Sequence, residues 1–233
     1  RPNTWGQRAA NLLVAQADLI IAVGTRLGMQ QTGFNWQQFG RNASVVQVDI
    51  DRTELDKGHP KIDLPVCADA DNFLTRILPK VHGDWETWVS YAQEVRKALP
   101  LNDPANETEK GFLSPYDFYA DLVLLSDSDD VIVPCSSGGA NSVSMQVIEQ
   151  KLGQVIITDK GLASMGYGLA GAIGASMAHP GKRTFLIEGD GGFSQNLQEL
   201  ATVAVNNLPI KTFIFANNGY GSIRMTQKNY GKP

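Results

Sequence analysis

Residues 184–222 read TFLIEGDGGFSQNLQELATVAVNNLPIKTFIFANNGYGS. Two short apolar runs, TFLIEGD and KTFIFANN, flank a segment in which Phe193, Leu197, Leu200 and Ala204 recur at helical spacing. Strand, helix and strand in that order are the repeating unit of an open, parallel α/β sheet. The helix is expected to start near Ser194. Ligands of such sheets lie beyond the carboxyl ends of the strands, where this sequence places Asp190 after the first strand and Asn217 after the second. One carboxylate, one carboxamide oxygen and the main-chain carbonyl of Gly219 form an all-oxygen half-shell of low charge, suited to Mg2+ or Ca2+. Gly191 and Gly192 let a ligand approach the main chain, and the helix behind them turns free N–H groups toward an anion. The plainer alternative for Asp190 is a helix N-cap, a position that Asp favours.

The same alternation extends toward the N-terminus. VIVPC and VIIT read as further strands, and CSSGGANS, residues 135–142, is a second Gly-rich turn whose hydroxyls and open N–H groups could meet the same anion. Ser114-Pro115 has the form of an N-cap followed by proline in the first helical turn. Before it, PLNDPANETEKGF carries Pro100 and Pro104 and few apolar anchors, so residues 100–113 are read as a linker. Residues 1–99 start with a helical pattern near Arg8 to Ala17. The run LIIAVGTRLG follows as a buried parallel strand, then VVQVDID, then a strand and helix in VCADADNFLTRILPKV starting near Asp69 or Asp71, then a helix across Trp85 to Leu99. The fold class is therefore α/β, with two Rossmann-like parallel-sheet domains: a partial first domain over 1–99, and a second over 114–233 that is expected to be incomplete at its C-terminus.

The 20 Lys and Arg against 24 Asp and Glu, a formal charge of -4, are scattered. They form no basic stripe for nucleic acid and no polybasic segment for a membrane surface. A small molecule is the expected partner. Cys67 and Cys135 fit neither a metal spacing nor a disulfide framework, so both are read as small core residues of a cytoplasmic protein. The three histidines lie in loop-like contexts and read as solvated. Asp49 and Asp51, at the end of VVQVDID, either cap the next helix or meet a nucleotide ribose.

The GDG of residues 189–191, followed after roughly thirty residues by Asn217-Asn218, resembles the thiamine-diphosphate motif of the family that includes acetolactate synthase and pyruvate decarboxylase. LIIAVGTRLG and VVQVDID are similar to the central domain of that family, and KGLASMGYGLAGAIGA to the stretch ahead of its diphosphate motif. The resemblance implies thiamine diphosphate and Mg2+ as cofactors. Asp190, Asn217 and the Gly219 carbonyl would hold the metal, and Ser136, Gly138, Gly191 and Gly192 would lie along the diphosphate, with Tyr220 and Ser222 nearby. Met165, which on its own reads as a core residue, would prop thiamine into a bent shape. The Ala163 carbonyl would accept from its aminopyrimidine, so that the cofactor serves as its own base. The implied substrate is a 2-oxo acid, decarboxylated and joined to a second carbonyl compound, in a homodimer or homotetramer.

Two features depart from that pattern. The glutamate that activates the cofactor belongs to a pyrimidine-binding domain, so no catalytic residue is assigned in this chain. The chain is accordingly expected to be a fragment, inactive alone. Acetolactate synthases proper carry Gln-Gly-Met after the asparagines, where this sequence has Tyr220-Gly221-Ser222. That leaves simple decarboxylation open, and TRLGMQQTGFNW carries no decisive FAD signature, so FAD stays open too. Tyr220, Arg224 and Gln227 are candidates to face substrate. A nucleotide-binding module for NAD or FAD, with the GDG aspartate as a mere cap, is the reading from another class.

Overall fold

The structure, a computed structural model, describes residues 2–103, 106–135, 137–159 and 161–231. It divides into two units, Arg1–Asp103 and Pro104–Pro233. The division falls inside the segment read as a linker.

The first unit carries α1 (Arg8–Gln16), β1 (Leu19–Val23), α2 (Met29–Thr32), β2 (Ser44–Asp49), α3 (Arg52–Leu55), β3 (Leu64–Cys67), α4 (Ala70–Ile77) and α5 (Glu86–Ala98). Its three strands are parallel in the order β1-β2-β3. Ala22, Leu27 and Val45 form the centre of its core, against Ile20, Phe39 and Ile62. The run read as a buried strand is instead an edge strand of this sheet, with Leu19 and Ile21 about half exposed. Successive side chains of a strand point to opposite faces, so the core claims Ile20 and Ala22 and leaves their neighbours outside. Cys67 is also exposed rather than in the core, while Cys135 is buried. The acidic strand ends act as caps: the Asp51 carboxylate accepts the Thr53 N–H, and Asp69 accepts that of Asn72.

The second unit carries α6 (Pro115–Leu125), β4 (Val131–Pro134), α7 (Gly138–Val147), β5 (Val155–Ile156), α8 (Tyr167–Ala178), β6 (Thr184–Gly189), α9 (Asp190–Phe193), α10 (Leu200–Val205), β7 (Ile210–Phe215) and α11 (Gly221–Tyr230). Its strands are parallel in the order β5-β4-β6-β7. Alternation along them supplies two faces. Ile132, Phe185 and Ile187 pack with Tyr119 and Leu122 of α6 and Val143 and Val147 of α7. Val131, Val133 and Leu186 pack with Leu169, Ala172 and Ile173 of α8. Helices on both faces are why these strands read as continuous apolar runs rather than alternating ones.

From β4 the chain goes to β5 on one side and then crosses to β6 on the other. That reversal opens a crevice at the carboxyl ends of β4 and β6, the switch point at which open α/β sheets bind ligands.

The helix expected from Ser194 is different. A helical turn already starts at Asp190, passes into a 3-10 turn over Ser194–Glu199, and breaks at Asn196, whose φ is -136°. The Asn196 amide instead donates to the Gly166 carbonyl at 2.8 Å. A short polar side chain bonded to a neighbouring segment competes with helix continuation.

Candidate functional site

The centre of the site is Asp190. Its Oδ1 accepts the N–H of Gly191 at 2.8 Å, and its Oδ2 accepts those of Asn217 at 2.9 Å and Gly219 at 2.8 Å. Two of these donors lie beyond the next strand, so the carboxylate clamps the β7 turn rather than merely capping its own helix. Burial alone would raise this carboxyl, but the N–H donors of Gly219, Asn217 and Gly191, with the charge of Arg224, outweigh it and hold the group below the usual carboxylate range. It is therefore ionised at neutral pH.

The clamped turn runs through the left-handed region at Asn218, Gly219 and Tyr220, with φ of 64°, 83° and 52°. Such values are uncommon for residues other than glycine and persist where surroundings enforce them. The Asn217 side chain accepts the Gly221 N–H at 3.2 Å, and its backbone carbonyl accepts from the Arg224 guanidinium. The Tyr220 ring covers Gly191 so closely that a Cβ there would stand 2.7 Å from it.

A cavity of about 1020 Å3 opens at these strand ends, entirely within the second unit. Its wall takes Ser137 to Ala140 from the start of α7, Glu188 to Gly192 after β6, and Ala216, Asn217 and Tyr220 to Ile223 around the start of α11. Gly138 has φ of 67°, and a Cβ on it would lie 3.8 Å from the Ser222 hydroxyl oxygen. The first-turn N–H groups of α7 thus face a site bordered by an ionised carboxylate, an arrangement suited to an anion bridged by a cation. A carboxylate offers about four lone-pair directions. Three N–H groups occupy Asp190, so it retains capacity for a cation, as does the second lone pair of the Asn217 oxygen. Gly219 uses its N–H on Asp190, and its carbonyl belongs to the next peptide plane. Among the described residues no three His, Cys, Asp or Glu side chains gather for a metal, so a cation here would depend on one carboxylate and neutral oxygens.

The sequence candidates mostly converge. Gly138, Ala163, Met165, Asp190, Gly191, Gly192, Asn217, Tyr220 and Ser222 all line the one cavity. Met165 is 41% exposed on its wall, not in the core. Ala163 takes a left-handed φ of 56°. Ser136 lies outside the described residues. Gly219, which donates its N–H to Asp190, is not among the wall residues, and neither are Arg224 and Gln227, the candidates to face substrate.

Several residues escaped the sequence reading. Phe112 and Leu113, assigned to a linker, line the cavity with Thr108, Glu109 and Gly111. Asp159 organises the turn ahead of Met165: its carboxylate accepts from Leu162 and Ser164, and its carbonyl accepts the Ala163 N–H at 2.8 Å. Glu188 lies near the end of β6, two residues before Asp190. Its side chain is buried, with Oε2 lacking a hydrogen-bond partner and Oε1 3.3 Å from the Gly189 N–H. A buried oxygen left unpaired costs about 1–3 kcal/mol. Burial pushes this carboxyl up, and it also pushes the adjacent Cys135 thiol up to about 12, with the Glu188 charge adding to it.

Comparison with known proteins finds relatives for both units. The profile described as "Thiamine pyrophosphate enzyme, C-terminal TPP binding domain" matches residues 137–233, and "Thiamine pyrophosphate enzyme, central domain" matches residues 2–77. The chain is 32% identical to the probable acetolactate synthase large subunit of Methanocaldococcus jannaschii, over 97% of this chain and 39% of that protein. The acetolactate synthase large subunit of Lactococcus lactis is 30% identical over 97% of this chain and 38% of its own length. Acetolactate synthase isozyme 1 large subunit of Escherichia coli is 29% identical over 95% and 39%. The chain thus spans about two fifths of the length of these curated relatives.

Proposed function

Because the chain belongs to the thiamine pyrophosphate enzymes, with matches to their central and C-terminal TPP-binding domains, we propose that its second unit holds thiamine diphosphate and Mg2+ for an acetolactate-synthase-like reaction on a 2-oxo acid. The observation that carries the reading is the bond of the ionised Asp190 to both Asn217 and Gly219 across neighbouring strand ends, at the switch point of the sheet.

In this reading Asp190, the Asn217 side chain and the Gly219 carbonyl hold the metal. Gly138, Gly191 and Gly192 border the diphosphate, the α7 N-terminus faces its charge, and Ser222 stands beside Gly138. Met165 would support the thiazolium, and Ala163, with its left-handed φ, would offer its carbonyl to the aminopyrimidine. When bound, thiamine diphosphate would supply a nucleophilic carbon and an electron sink for loss of CO2. Phe112, Leu113 and Ile223 supply apolar surface to the cavity wall. The activating glutamate is assigned to a pyrimidine-binding domain, and the working protein to a homodimer or homotetramer.

Calorimetry of thiamine diphosphate binding to the wild-type chain and to Asp190→Ala, with and without Mg2+, tests the site. Metal-dependent binding that disappears in the variant is expected. Equal binding by both would remove Asp190 from the metal and with it this reading. Product analysis with pyruvate on the whole protein separates the reactions: acetolactate supports carboligation, and acetaldehyde alone supports simple decarboxylation.

A further inference from the structure

Resting on the cavity being the cofactor site, we infer that Glu188 is a positioning residue: its buried carboxyl holds together the three segments that form the diphosphate cradle. The first is its own Gly-Asp-Gly turn. Oε1 neighbours the Gly189 N–H at 3.3 Å and lies where a Cβ on Gly192 would come within 2.5 Å. The second is the start of α8, just after Ala163 and Met165. Oε2 occupies the space a Cβ on Gly168 would need, 1.7 Å from that position. The third is the β4–α7 turn, where the Cys135 thiol lies beside the same carboxyl and donates to the Ser137 carbonyl at 2.9 Å.

Gly168 and Gly192 are thus small for a reason within the protein: each leaves room for one oxygen of Glu188. A side chain packed this way fixes the spacing between the diphosphate turn and the segment that carries Met165. It touches none of the residues assigned to substrate. Although Glu188 is itself a wall residue of the cavity, its side chain is buried against these segments, so its effect should reach the ligand mainly through those backbones.

The test compares Glu188→Ala, Glu188→Gln and Glu188→Asp in the full chain, by amide hydrogen exchange without ligand and by calorimetry with Mg2+ and thiamine diphosphate. In the Ala variant the amides of Gly168, Gly189 and Gly192 should exchange faster together while central β4 and β6 amides keep their protection. Its cofactor dissociation constant should rise about tenfold or more. The Gln variant, which keeps the shape, should stay close to wild type in both. The Asp variant keeps the charge and withdraws the carboxyl by one methylene, so it should loosen the same amides to a smaller degree.

Exchange unchanged in both the Ala and Asp variants, or raised equally across every amide, overturns the inference. A failure of the wild-type chain to bind the cofactor would instead count against the proposed function. In that case the exchange pattern alone still decides whether Glu188 braces these segments. Gly168→Ala adds a cross-check: it displaces Oε2, so combining it with Glu188→Ala should weaken binding no more than Glu188→Ala does alone.

Discussion

At the scale of single residues, one substitution of Asp190 tests both its observed clamp on the β7 turn and the metal contact proposed for it. It satisfies N–H groups of a turn that runs through the left-handed region, and under the proposed function it would hold charge for a cation. Asp190→Asn keeps one acceptor oxygen, removes the charge and points an amide at N–H donors. The ligand-free chain should lose about 1–3 kcal/mol of stability, read by urea unfolding, and Mg2+-dependent cofactor affinity should fall at least about tenfold. Equal stability would mean that the turn holds its shape without the clamp. Gly191 makes a steric case. A Cβ there meets the Tyr220 ring at 2.7 Å, so Gly191→Ala should destabilise by about 1–3 kcal/mol through overpacking. Adding Tyr220→Ala should recover most of that loss, because the clash is with a side chain. The aspartate was legible in the sequence because its type, its strand end and the distant asparagine all agree. Glu188, two residues earlier, was not, because what makes it informative is the absence of Cβ atoms on Gly168 and Gly192, and only the folded chain brings those together.

At the scale of elements, the two ends of the second sheet do different work. The carboxyl ends hold the cavity, while the amino ends are tied by the Arg183 guanidinium at the start of β6, which donates to Asp130 before β4 at 2.8 and 2.7 Å. The Asp130 carboxylate also accepts the Asp127 N–H at 2.6 Å. Burial would raise Asp130, but these donors and the Arg183 charge outweigh it and lower its pKa. A carboxyl lowered on folding contributes stability that is fully present above its unfolded value, about 3.9, and is lost as pH falls through the folded value. Acid titration of unfolding should therefore show a loss of stability below about pH 4 that is shallower in Arg183→Met. Because Arg183 is half-exposed, the variant should lose only about 1 kcal/mol at neutral pH. An unaltered acid limb would show that the pair contributes nothing to this dependence. The strands themselves were legible from apolar runs bounded by glycine and acidic residues. The break at Asn196 was not, because Phe193, Leu197, Leu200 and Ala204 keep helical spacing in the sequence while a long-range bond to Gly166 decides the backbone.

At the scale of the whole molecule, the chain consists of two α/β units that match two different parts of the thiamine pyrophosphate enzymes. Order along the chain revealed both units, since strand-helix alternation is local information. The cavity wall was less visible: residues 108–113 look like a polar connector in sequence, yet Phe112 and Leu113 line the same cavity as Asp190. Nothing in a short polar segment says which crevice its two apolar residues reach. The described cavity draws every wall residue from Pro104–Pro233, so a ligand bound there should register in that unit. At a hundredfold excess over its dissociation constant, thiamine diphosphate with Mg2+ should stabilise the state that binds it by about 2.7 kcal/mol. Amide exchange should slow around Phe112, Gly138, Gly166 to Gly168, Gly189 to Gly192 and Asn217 to Ser222, and stay unchanged in β1, β2 and β3. Slower exchange in those three strands would mean that the ligand also engages the first unit, and the assignment of the site to the second sheet alone would fall.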